Sequence, residues 1–254
     1  MNGVSPQTRP DPAKGVFETF LVVEGRLIEL DAHLARLGAS VAVLFGANLT
    51  DETREAVEER ARDMSLGRLR VTLAPIGDEG ELNREIVTAD VDPALVFPTA
   101  ERAVVAHSVL VEGGLGLHKW ADRDLIAGAE ANLGAGEVPL IVDRGGVVLE
   151  ASRANVFAIR GETLVTPPAD GRLLPGIARR RVMEAADACG LLPDETELTI
   201  DDLIAADEVL LAGSVRGIEP VRAIDGAELG DQNGAGIRVA AELRRGWMPS
   251  QVKI

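Results

Sequence analysis

Two consecutive hairpin signals near the middle of the chain constrain its fold more than any other feature. The β-prone residues 140–149 are divided by Gly145-Gly146, and the β-prone residues 155–165 are divided by Gly161. Short apolar runs separated by glycine turns are typical of antiparallel strands. Helical patterns occur before and after these hairpins, so we predict the fold class α/β, in the mixed α+β sense.

The first half of the chain predicts a hairpin, two helices and further strands. Residues 16–23 are β-prone, Glu24-Gly25 marks a turn, and residues 26–30 form the return strand. Asp31 is the candidate N-cap of a helix whose apolar stripe faces this sheet and consists of Leu34, Leu37, Val41 and Leu44. A charged helix over residues 51–64, a strand over 67–74 and a polar loop over 78–83 follow.

The second half predicts a strand over residues 102–111, a helical stretch after Lys119 and, beyond the hairpins, a helix over 176–189 closed by Gly190. A shorter helix over 200–206, a strand over 208–212 and an amphipathic helix over 236–247 complete it. Pro93 and Pro98 mark a connection between domains. We therefore predict an irregular segment at residues 1–14, a small amino-terminal α/β domain at 15–98 and a larger carboxy-terminal domain at 99–254.

The balance of charges narrows the possible partners of this chain. Its 254 residues carry a formal net charge of −15, with a pI near 4.7, which disfavours a nucleic-acid groove or an anionic membrane surface. Residues 1–13 contain neither a signal-like apolar region nor a membrane span. The single cysteine, Cys189, suits a reducing compartment and a place in the core. We expect a cytoplasmic protein that binds neither nucleic acid nor membrane.

A lysine and a glutamate stand about thirty residues apart beside strand signals. Lys119 lies in residues 116–123 after a strand-like run, and Glu150 lies in the run 147–157. An amine and a carboxylate in one cleft suit pyridoxal phosphate, because the amine bonds to its aldehyde while the carboxylate keeps its ring nitrogen protonated. Neither residue alone establishes this chemistry.

Two further segments offer donors for a phosphate group. Residues 174–178 open a helix, whose backbone N–H groups and dipole attract an anion, and Arg179, Arg180 and Arg181 follow in its first turn. A bound anion would relieve the unfavourable placement of these cations; alternatively, the three side chains extend into solvent. A glycine-serine turn at residues 211–217 follows a strand and offers a hydroxyl and more N–H groups.

Short motifs recur in a defined order along nearly the whole chain. They are Gly15-Val16-Phe17-Glu18-Thr19, His33-Leu34-Ala35-Arg36-Leu37, Lys119, Glu150 through Asn155-Val156-Phe157, Thr166-Pro167, Leu174-Pro175-Gly176-Ile177, and Gly213-Ser214 before Gly217-Ile218-Glu219-Pro220-Val221. This order resembles the fold-type-IV pyridoxal-phosphate enzymes, the class IV aminotransferase family. That family includes branched-chain and D-amino-acid aminotransferases and 4-amino-4-deoxychorismate lyases, the last being the most similar in appearance. The resemblance implies two α/β domains with pyridoxal 5'-phosphate in the cleft between them, and a homodimer.

The resemblance also implies a role for each matching residue. Lys119 matches the lysine that forms the Schiff base and moves the proton beside the substrate nitrogen, and Glu150 matches the carboxylate on the ring nitrogen. Without the resemblance, such a lysine or glutamate is a solvated charge. The other cofactor-binding residues implied are Arg36 and Ser214 with Val215 at the phosphate, Ile177 and Ala178 through their N–H groups, and Leu174 on the ring face. No metal is implied.

The reaction type stays open between two classes of enzyme. Arg123, four residues after Lys119, is similar to the lyases, in which an arginine replaces the tyrosine common in aminotransferases; the chain contains no tyrosine, and Asp122 is the alternative substitute. We favour 4-amino-4-deoxychorismate lyase of folate biosynthesis, which releases pyruvate and leaves 4-aminobenzoate. The alternative is a transaminase that acts on branched-chain or D-amino acids with a 2-oxo acid acceptor.

Several positions depart from the family pattern, so a third hypothesis is an inactive relative of the family. Ala178, Pro75, Lys14-Gly15 and Asp122 each replace the residue usual in relatives, which affects substrate recognition more than cofactor binding. The altered entry motif favours an inactive cofactor-binding relative, whereas the intact Lys119 and Glu150 oppose it. Arg123 and Arg216 are candidate substrate residues. Arg70 and Arg216 are possible partners of a substrate carboxylate, and an exposed surface charge is the alternative for each.

Overall fold

A computed structural model describes residues 9–77, 81–230 and 234–248 of the chain. Within this part, two compact units separate. The first unit contains residues 9–93 and 118–124, and the second contains residues 94–117 and 125–248. The chain thus passes from one unit to the other near residue 93, close to the expected connection, and the segment that carries Lys119 groups with the first unit.

The first unit is an antiparallel sheet covered by two helices. Its elements are β1 (Val16–Val23), β2 (Arg26–Leu27), α1 (Leu30–Phe45), α2 (Asp51–Ala61), β3 (Leu66–Ile76) and β4 (Glu81–Asp90), and the strands lie in the order β2-β1-β3-β4. Alternate residues of β1 point to α1, so that Val16, Phe20 and Val22 pack with Leu34, Leu37 and Val41. The predicted β1 and the predicted apolar stripe of α1 are confirmed.

Four details of the first unit differ from the sequence predictions. The return strand ends at Leu27, because Glu29 adopts a left-handed φ of 56° and caps α1, which therefore starts before the predicted cap Asp31. Helix α2 ends at Ala61 rather than at residue 64. Residues 81–83, predicted as loop, belong to β4, whereas residues 78–80 lie outside the described part. A short 3-10 helix at Pro12–Lys14 gives regular structure before Gly15; residues 1–8 also lie outside.

The second unit contains most of the strands. Its elements are β5 (Val104–Leu110), α3 (Asp124–Glu130, of which Asp124 groups with the first unit), β6 (Glu137–Val142), β7 (Val147–Ala151), β8 (Ala154–Arg160), β9 (Thr163–Thr166), α4 (Ile177–Ala185), β10 (Leu192–Glu195), β11 (Leu198–Thr199), α5 (Ile200–Ile204), β12 (Glu208–Gly213), β13 (Gly217–Ile224), β14 (Ala227–Glu228) and α6 (Ala235–Trp247).

Six of these strands close into a ring. β8, β12, β13, β5, β6 and β7 each pair with the next, and β7 pairs back to β8. One apolar cluster contains residues from all six strands, including Val156 and Leu211, and so fills the interior of the ring. Residues of the opposite parity, among them Glu150, Asn155 and Ala212, point outward, where α4 and α6 pack on β12.

Both predicted central hairpins are confirmed, as are the strand after residue 102 and the final helix. The predicted helix 176–189 is shorter, because α4 ends at Ala185 and a 3-10 turn at Asp187–Cys189 leads to Gly190, which has a left-handed φ of 71°. Cys189 is buried, as expected. Strand β13 was not predicted as a strand. No helix in the described residues is long and apolar enough to cross a membrane.

Candidate active site

Lys119 lies on a backbone segment held along β1 in the first unit. The N–H group of Phe17 donates to the carbonyl of Lys119 at 2.9 Å, and that of Ala121 donates to the carbonyl of Gly15 at 2.9 Å. Gly15 has a φ of 87°, and a Cβ there would lie 2.2 Å from the carbonyl oxygen of Leu73, so the close approach needs glycine. The Lys119 Nζ atom stands 5.0 Å from the centre of the Phe17 ring. The lysine is therefore carried by rigid sheet backbone.

A buried carboxylate fixes the orientation of Arg36. The Arg36 Nε and Nη2 atoms donate to the two oxygens of Glu18 at 2.7 and 2.8 Å, and Nδ1 of His33 lies 2.7 Å from the Glu18 Oε2 atom. Burial alone would raise the pKa of Glu18, but the Arg36 charge and the His33 and Arg36 hydrogen bonds lower this pKa to about 2. Burial lowers the pKa of His33, which is therefore neutral near pH 7 and donates to the ionised carboxylate.

Arg70 lies against the same aromatic ring as Lys119 and has an unbonded donor within the described part of the chain. Its guanidinium carbon stands 4.2 Å from the centre of the Phe17 ring, which is a cation–π arrangement. Its Nε atom is buried without a hydrogen-bond partner, and Arg70 forms no ion pair with any residue that the structure describes. Burial and the like charges of Arg68 and Arg123 lower the pKa of Arg70. A cation with an unbonded Nε–H donor near the Phe17 ring is suited to bind an anion.

Glu150 lies in the second unit, on the outer face of the ring. The carboxylate is buried, and its Oε1 atom accepts a hydrogen bond from the Leu174 N–H group at 3.2 Å. Asn155, paired with Glu150 across β7 and β8, donates from Nδ2 to the Leu174 carbonyl at 2.9 Å. Both polar backbone atoms of Leu174 are thus bound to this sheet, and the start of α4 is positioned next to Glu150.

The start of α4 keeps backbone donors available. Its N-cap is Gly176, which provides no side-chain cap, and a Cβ at Gly176 would lie 1.9 Å from the Asn155 Oδ1 atom. The first-turn N–H groups of Ile177 and Ala178 belong to buried residues. The arginine triplet that follows does not need the proposed anion. Arg179 is buried, with Nη2 bonded to Glu195 at 2.7 Å and to the Pro167 carbonyl at 3.0 Å, whereas Arg180 and Arg181 contact Glu184.

The remaining predicted site residues lie in two further places. Ser214, Val215 and Arg216 form the turn between β12 and β13, where the Arg216 Nη1 atom donates to Glu219 at 3.0 Å. Arg123 lies partly buried in the first unit, close enough to Arg70 to affect its pKa. Asp122, considered as a substitute for tyrosine, pairs with Lys14 at 3.0 Å, and its pKa is lowered mainly by the Asp11 N–H group.

The predicted residues thus fall into two groups. Arg36, Lys119 and Arg123 belong to the first unit, and the second unit contains Glu150, Leu174, Ile177, Ala178, Ser214, Val215 and Arg216. Sequence reasoning gave no role to Glu18 or His33. The alternation of side chains along β1 could have indicated that Glu18 is buried, because Glu18 has the same parity as the inward-facing Val16 and Phe20. No cluster of three or more metal-binding side chains occurs within the described ranges.

Each of the two groups, taken by itself, contains chemical groups that suit a part of pyridoxal phosphate. A buried carboxylate such as Glu150 suits a protonated ring nitrogen, because a carboxylate accepts hydrogen bonds from cationic donors and stabilises their charge. The helix start at Gly176, without a side-chain cap, suits a phosphate group, and its glycine leaves no Cβ to fill the space beside Asn155. Arg36, oriented by Glu18, and Lys119 suit the phosphate and the aldehyde respectively.

Comparison with known proteins identifies the same class of enzyme. A family model described as amino-transferase class IV matches residues 15–224. The D-alanine aminotransferase of Listeria monocytogenes is 28% identical over 232 residues, covering 85% of this chain and 80% of that protein. A pyridoxal-phosphate-bound hypothetical aminotransferase from Mycobacterium tuberculosis has a TM-score of 0.80 at 24% identity, covering 98% of this chain and 95% of that one. For the 4-amino-4-deoxychorismate lyase of Pseudomonas aeruginosa the TM-score is 0.77 at 22% identity, covering 95% of each chain.

The chain therefore belongs to the class IV aminotransferase family, whose members are pyridoxal-phosphate-dependent transaminases and lyases. Its mixed α/β fold matches that of the solved structures. The predicted class of enzyme, cofactor and fold are confirmed.

Proposed function

We propose that this enzyme is a 4-amino-4-deoxychorismate lyase, which forms 4-aminobenzoate and pyruvate. The observation that carries the proposal is Arg70, a half-buried cation that forms no ion pair with the described residues and whose Nε atom has no hydrogen-bond partner among them; Arg70 and Lys119 both lie near the Phe17 ring. A group of this kind is suited to a substrate carboxylate. The substrate of the lyase carries two carboxylates, whereas an amino acid such as alanine carries one.

The residues of this chain divide the chemistry among them. When bound, pyridoxal phosphate supplies an electron sink. Lys119 takes the proton from the amine-bearing ring carbon of the substrate and returns a proton to the departing enolpyruvyl fragment, which leaves as pyruvate. Glu150 holds the proton on the cofactor ring nitrogen. One C–H and one C–O bond break, and the remaining ring becomes aromatic.

In this proposal the cofactor phosphate is held by Arg36, by the start of α4 and by the turn between β12 and β13. Glu18 occupies the Arg36 Nε and Nη2 donors and so fixes the plane of the guanidinium. The N–H groups of Ile177 and Ala178, with Ser214 and Val215, provide uncharged donors. The Leu174 N–H group orients Glu150, and the Leu174 side chain would pack on the face of the bound cofactor ring. Arg123 takes the place of the tyrosine that this chain lacks.

The covalent role of Lys119 has a direct test. The chain contains three lysines, Lys14, Lys119 and Lys253, so the site of a borohydride-fixed label is easily assigned by peptide mapping. We expect purified protein to be yellow and to carry the label on Lys119. Lys119→Ala should abolish the colour and lower kcat by at least about a thousandfold, whereas Lys14→Ala should stay yellow. A colourless protein that cannot be reconstituted, or a label on Lys14, would contradict the assignment.

The reaction type is tested with paired substrates. Aminodeoxychorismate should yield pyruvate and 4-aminobenzoate in equal amounts. Branched-chain or D-amino acids with 2-oxoglutarate should give little amino transfer. Amino transfer without pyruvate release would reject the lyase.

The proposed binding of a substrate carboxylate by Arg70 is tested by replacing this arginine with a neutral residue. Arg70→Gln should raise KM for aminodeoxychorismate by about tenfold to a hundredfold, the worth of one charge-assisted hydrogen bond. Arg68→Gln is the matched control, because Arg68 lies two residues away on the same face of β3 and is exposed. Equal effects of the two substitutions would argue against a specific carboxylate contact.

A class IV transaminase is the second candidate. The similarity to D-alanine aminotransferase over 85% of this chain favours it. In that case Lys119 returns the proton to the cofactor side and the amino group is transferred to a 2-oxo acid. An inactive cofactor-binding relative would be yellow but would fail both assays.

We also propose a cytoplasmic homodimer. The dimer rests on the family resemblance, and the compartment rests on Cys189, a buried free thiol that suits a reducing environment. Sedimentation equilibrium would test the dimer; a monomer at micromolar concentration would refute it.

A further inference from the structure

Two arginines in the second unit share one buried glutamate. The Arg153 Nη2 and Arg216 Nη1 atoms donate to the same oxygen, Oε1 of Glu219, at 3.1 and 3.0 Å. Glu219 is 2% exposed, whereas the side chains of Arg153 and Arg216 keep 30% and 31% of their surface exposed. We call these three residues the rim cluster.

The rim cluster lies at one end of the six-stranded ring. Arg153 occupies the turn between β7 and β8, and Arg216 occupies the turn between β12 and β13. The two turns are neighbours because Asn155 pairs with Ala212. Glu219 pairs with Leu211 and therefore points into the ring from this end. Two proposed cofactor positions lie nearby in the chain: Glu150, in β7, precedes Arg153 by three residues, and Ser214, in the second turn, precedes Arg216 by two.

The turn that carries Arg216 is held rigidly. The Phe97 N–H group donates to the Arg216 carbonyl at 2.8 Å. Gly217 follows with a φ of 68°, and a Cβ there would lie 2.3 Å from the Phe97 ring. Phe97 in turn packs edge-on against Trp247. A fixed turn limits the directions in which Arg216 extends, which is what a binding site requires.

The charges of the rim cluster do not balance. One carboxylate faces two guanidinium groups, which leaves one excess positive charge in a chain whose formal net charge is −15. The Arg153 Nε atom is buried without a hydrogen-bond partner in the described ranges. Closing the end of the ring around Glu219 would need only one arginine. The second guanidinium, half exposed beside the Ser214 turn, is suited to an anionic ligand.

We propose that Arg153 and Arg216 bind a second carboxylate of a dicarboxylate substrate, and that Glu219 positions both guanidinium groups for it. The assignment rests on the proposed function, because it places this carboxylate in the pyridoxal-phosphate site. Glu219 is a positioning residue, since it acts through the arginines.

The test compares glutarate with butyrate, which differ by one carboxylate, as ligands of the yellow holoenzyme. Affinity is measured by calorimetry and cofactor occupancy by absorbance. Arg153→Gln and Arg216→Gln should each weaken glutarate binding by about tenfold to a hundredfold and change butyrate binding by less than about twofold. Arg160→Gln is the matched control, because Arg160 is a half-exposed arginine of the same unit that is paired with Asp202 instead.

Glu219→Gln separates positioning from a merely structural role. A structural glutamate would lower the melting temperature but leave the ratio of glutarate to butyrate affinity unchanged. We expect this ratio to fall severalfold, because a single neutral acceptor cannot orient two guanidinium groups. An unchanged ratio in all three rim variants would overturn the inference.

Three other outcomes are decisive. In the first, Arg216→Gln loses the cofactor, and inorganic phosphate displaces the cofactor from the unsubstituted protein. This would place the arginines on the cofactor phosphate and overturn the substrate assignment. Glutarate binding that depends on Arg216 in a protein that takes up no cofactor would refute the proposed function while retaining the anion site. If the holoenzyme forms but its affinity for glutarate does not depend on Arg153 or Arg216, the inference is refuted and the proposed function is not.

Discussion

Glu18 is a buried acid whose ionised form is stabilised by its neighbours. Its pKa is about 2 in the folded protein, against an ordinary value of 4.5. Because folding lowers this pKa, the ionised carboxylate contributes stability above about pH 4.5, and this contribution is lost as the pH falls towards 2. The shift corresponds to about 3 kcal/mol. We expect Glu18→Gln to lower the free energy of unfolding by this order at pH 7 and by much less near pH 3.

Urea titrations at several pH values measure this difference. Glu228→Gln is the control, because Glu228 is exposed in a short strand and its substitution should change the free energy of unfolding by less than about 0.5 kcal/mol. A destabilisation by Glu18→Gln that stays constant from pH 7 to pH 3 would show that lost packing, rather than lost charge, is responsible. Glu18→Gln should also weaken cofactor binding, if Arg36 holds the phosphate.

At the residue scale, the sequence indicated candidate reactive residues better than it indicated the buried residues that orient them. Lys119, Glu150 and Arg36 stood out because each belongs to a motif with a known chemical requirement. Glu18 and Glu219 lie in motifs that were recognised, yet the partner Arg36 of Glu18 and the partner Arg153 of Glu219 come from other elements; only Arg216, three residues before Glu219, is local. The identity of such partners depends on how strands and helices pair, which no local pattern contains. The burial of Glu18 was accessible from the parity of the predicted strand β1, whereas that of Glu219 was not, because β13 was not predicted as a strand.

The start of α4 depends on a glycine that allows close approach rather than an unusual backbone. Gly176 has ordinary dihedrals, φ −67° and ψ 142°, but a Cβ would overlap the Asn155 Oδ1 atom. We expect Gly176→Ala to lower the free energy of unfolding by about 1–3 kcal/mol, as overpacking does, and to weaken cofactor binding. In an Asn155→Ser background the same substitution should cost at least about 0.5 kcal/mol less, because the overlapping amide is gone.

Gly246 provides the matched control for that experiment. It lies in α6, and a Cβ added there meets no atom within 4 Å. Gly246→Ala should therefore raise the free energy of unfolding by about 0.5 kcal/mol through helix propensity. Chemical denaturation of both variants and the double mutant measures these values. Equal costs of Gly176→Ala in the two backgrounds would exclude Asn155 as the cause.

At the element scale, sequence predictions succeeded where a local signal was sufficient. The bounds of β1 and the two central hairpins follow from β-prone runs and glycine turns. Strand β13 was not predicted because Gly217 and Pro220 interrupt its run of β-prone residues, although both residues are accommodated within the ring. Strand β4 was missed at its start because Glu81 and Asn83 are polar, as an exposed strand permits. Short runs of polar residues therefore do not distinguish loops from edge strands.

Long-range pairing within each unit was beyond any local signal. The ring closes through β13 with β5 and through β7 with β8, and the first of these pairs joins Val221 to Val104. The segment with Lys119 runs along β1, although about one hundred residues separate them in the chain. Such contacts are selected by the packing of complete apolar faces. The sequence could therefore predict the class of fold through family resemblance, but not this topology through periodicity.

The charge of the whole chain should make its stability depend on salt. The chain has 41 acidic and 26 basic residues, so that charges of one sign predominate. An excess of like charge destabilises the compact state through repulsion, and added salt screens it. Helix α2 concentrates this excess, since Glu55 and Glu59 are exposed and one helical turn apart.

We expect the melting temperature to rise by a few degrees between about 10 mM and 200 mM sodium chloride, over which the screening length falls from about 30 Å to below 10 Å. The double variant Glu55→Gln/Glu59→Gln removes two negative charges without removing a buried contact, so its melting temperature should be higher at low salt and should rise less with salt. Equimolar sucrose controls for effects other than screening. A melting temperature that falls with salt would mean that the local ion pairs, such as Arg172 with Asp170 and Glu197, outweigh the net repulsion.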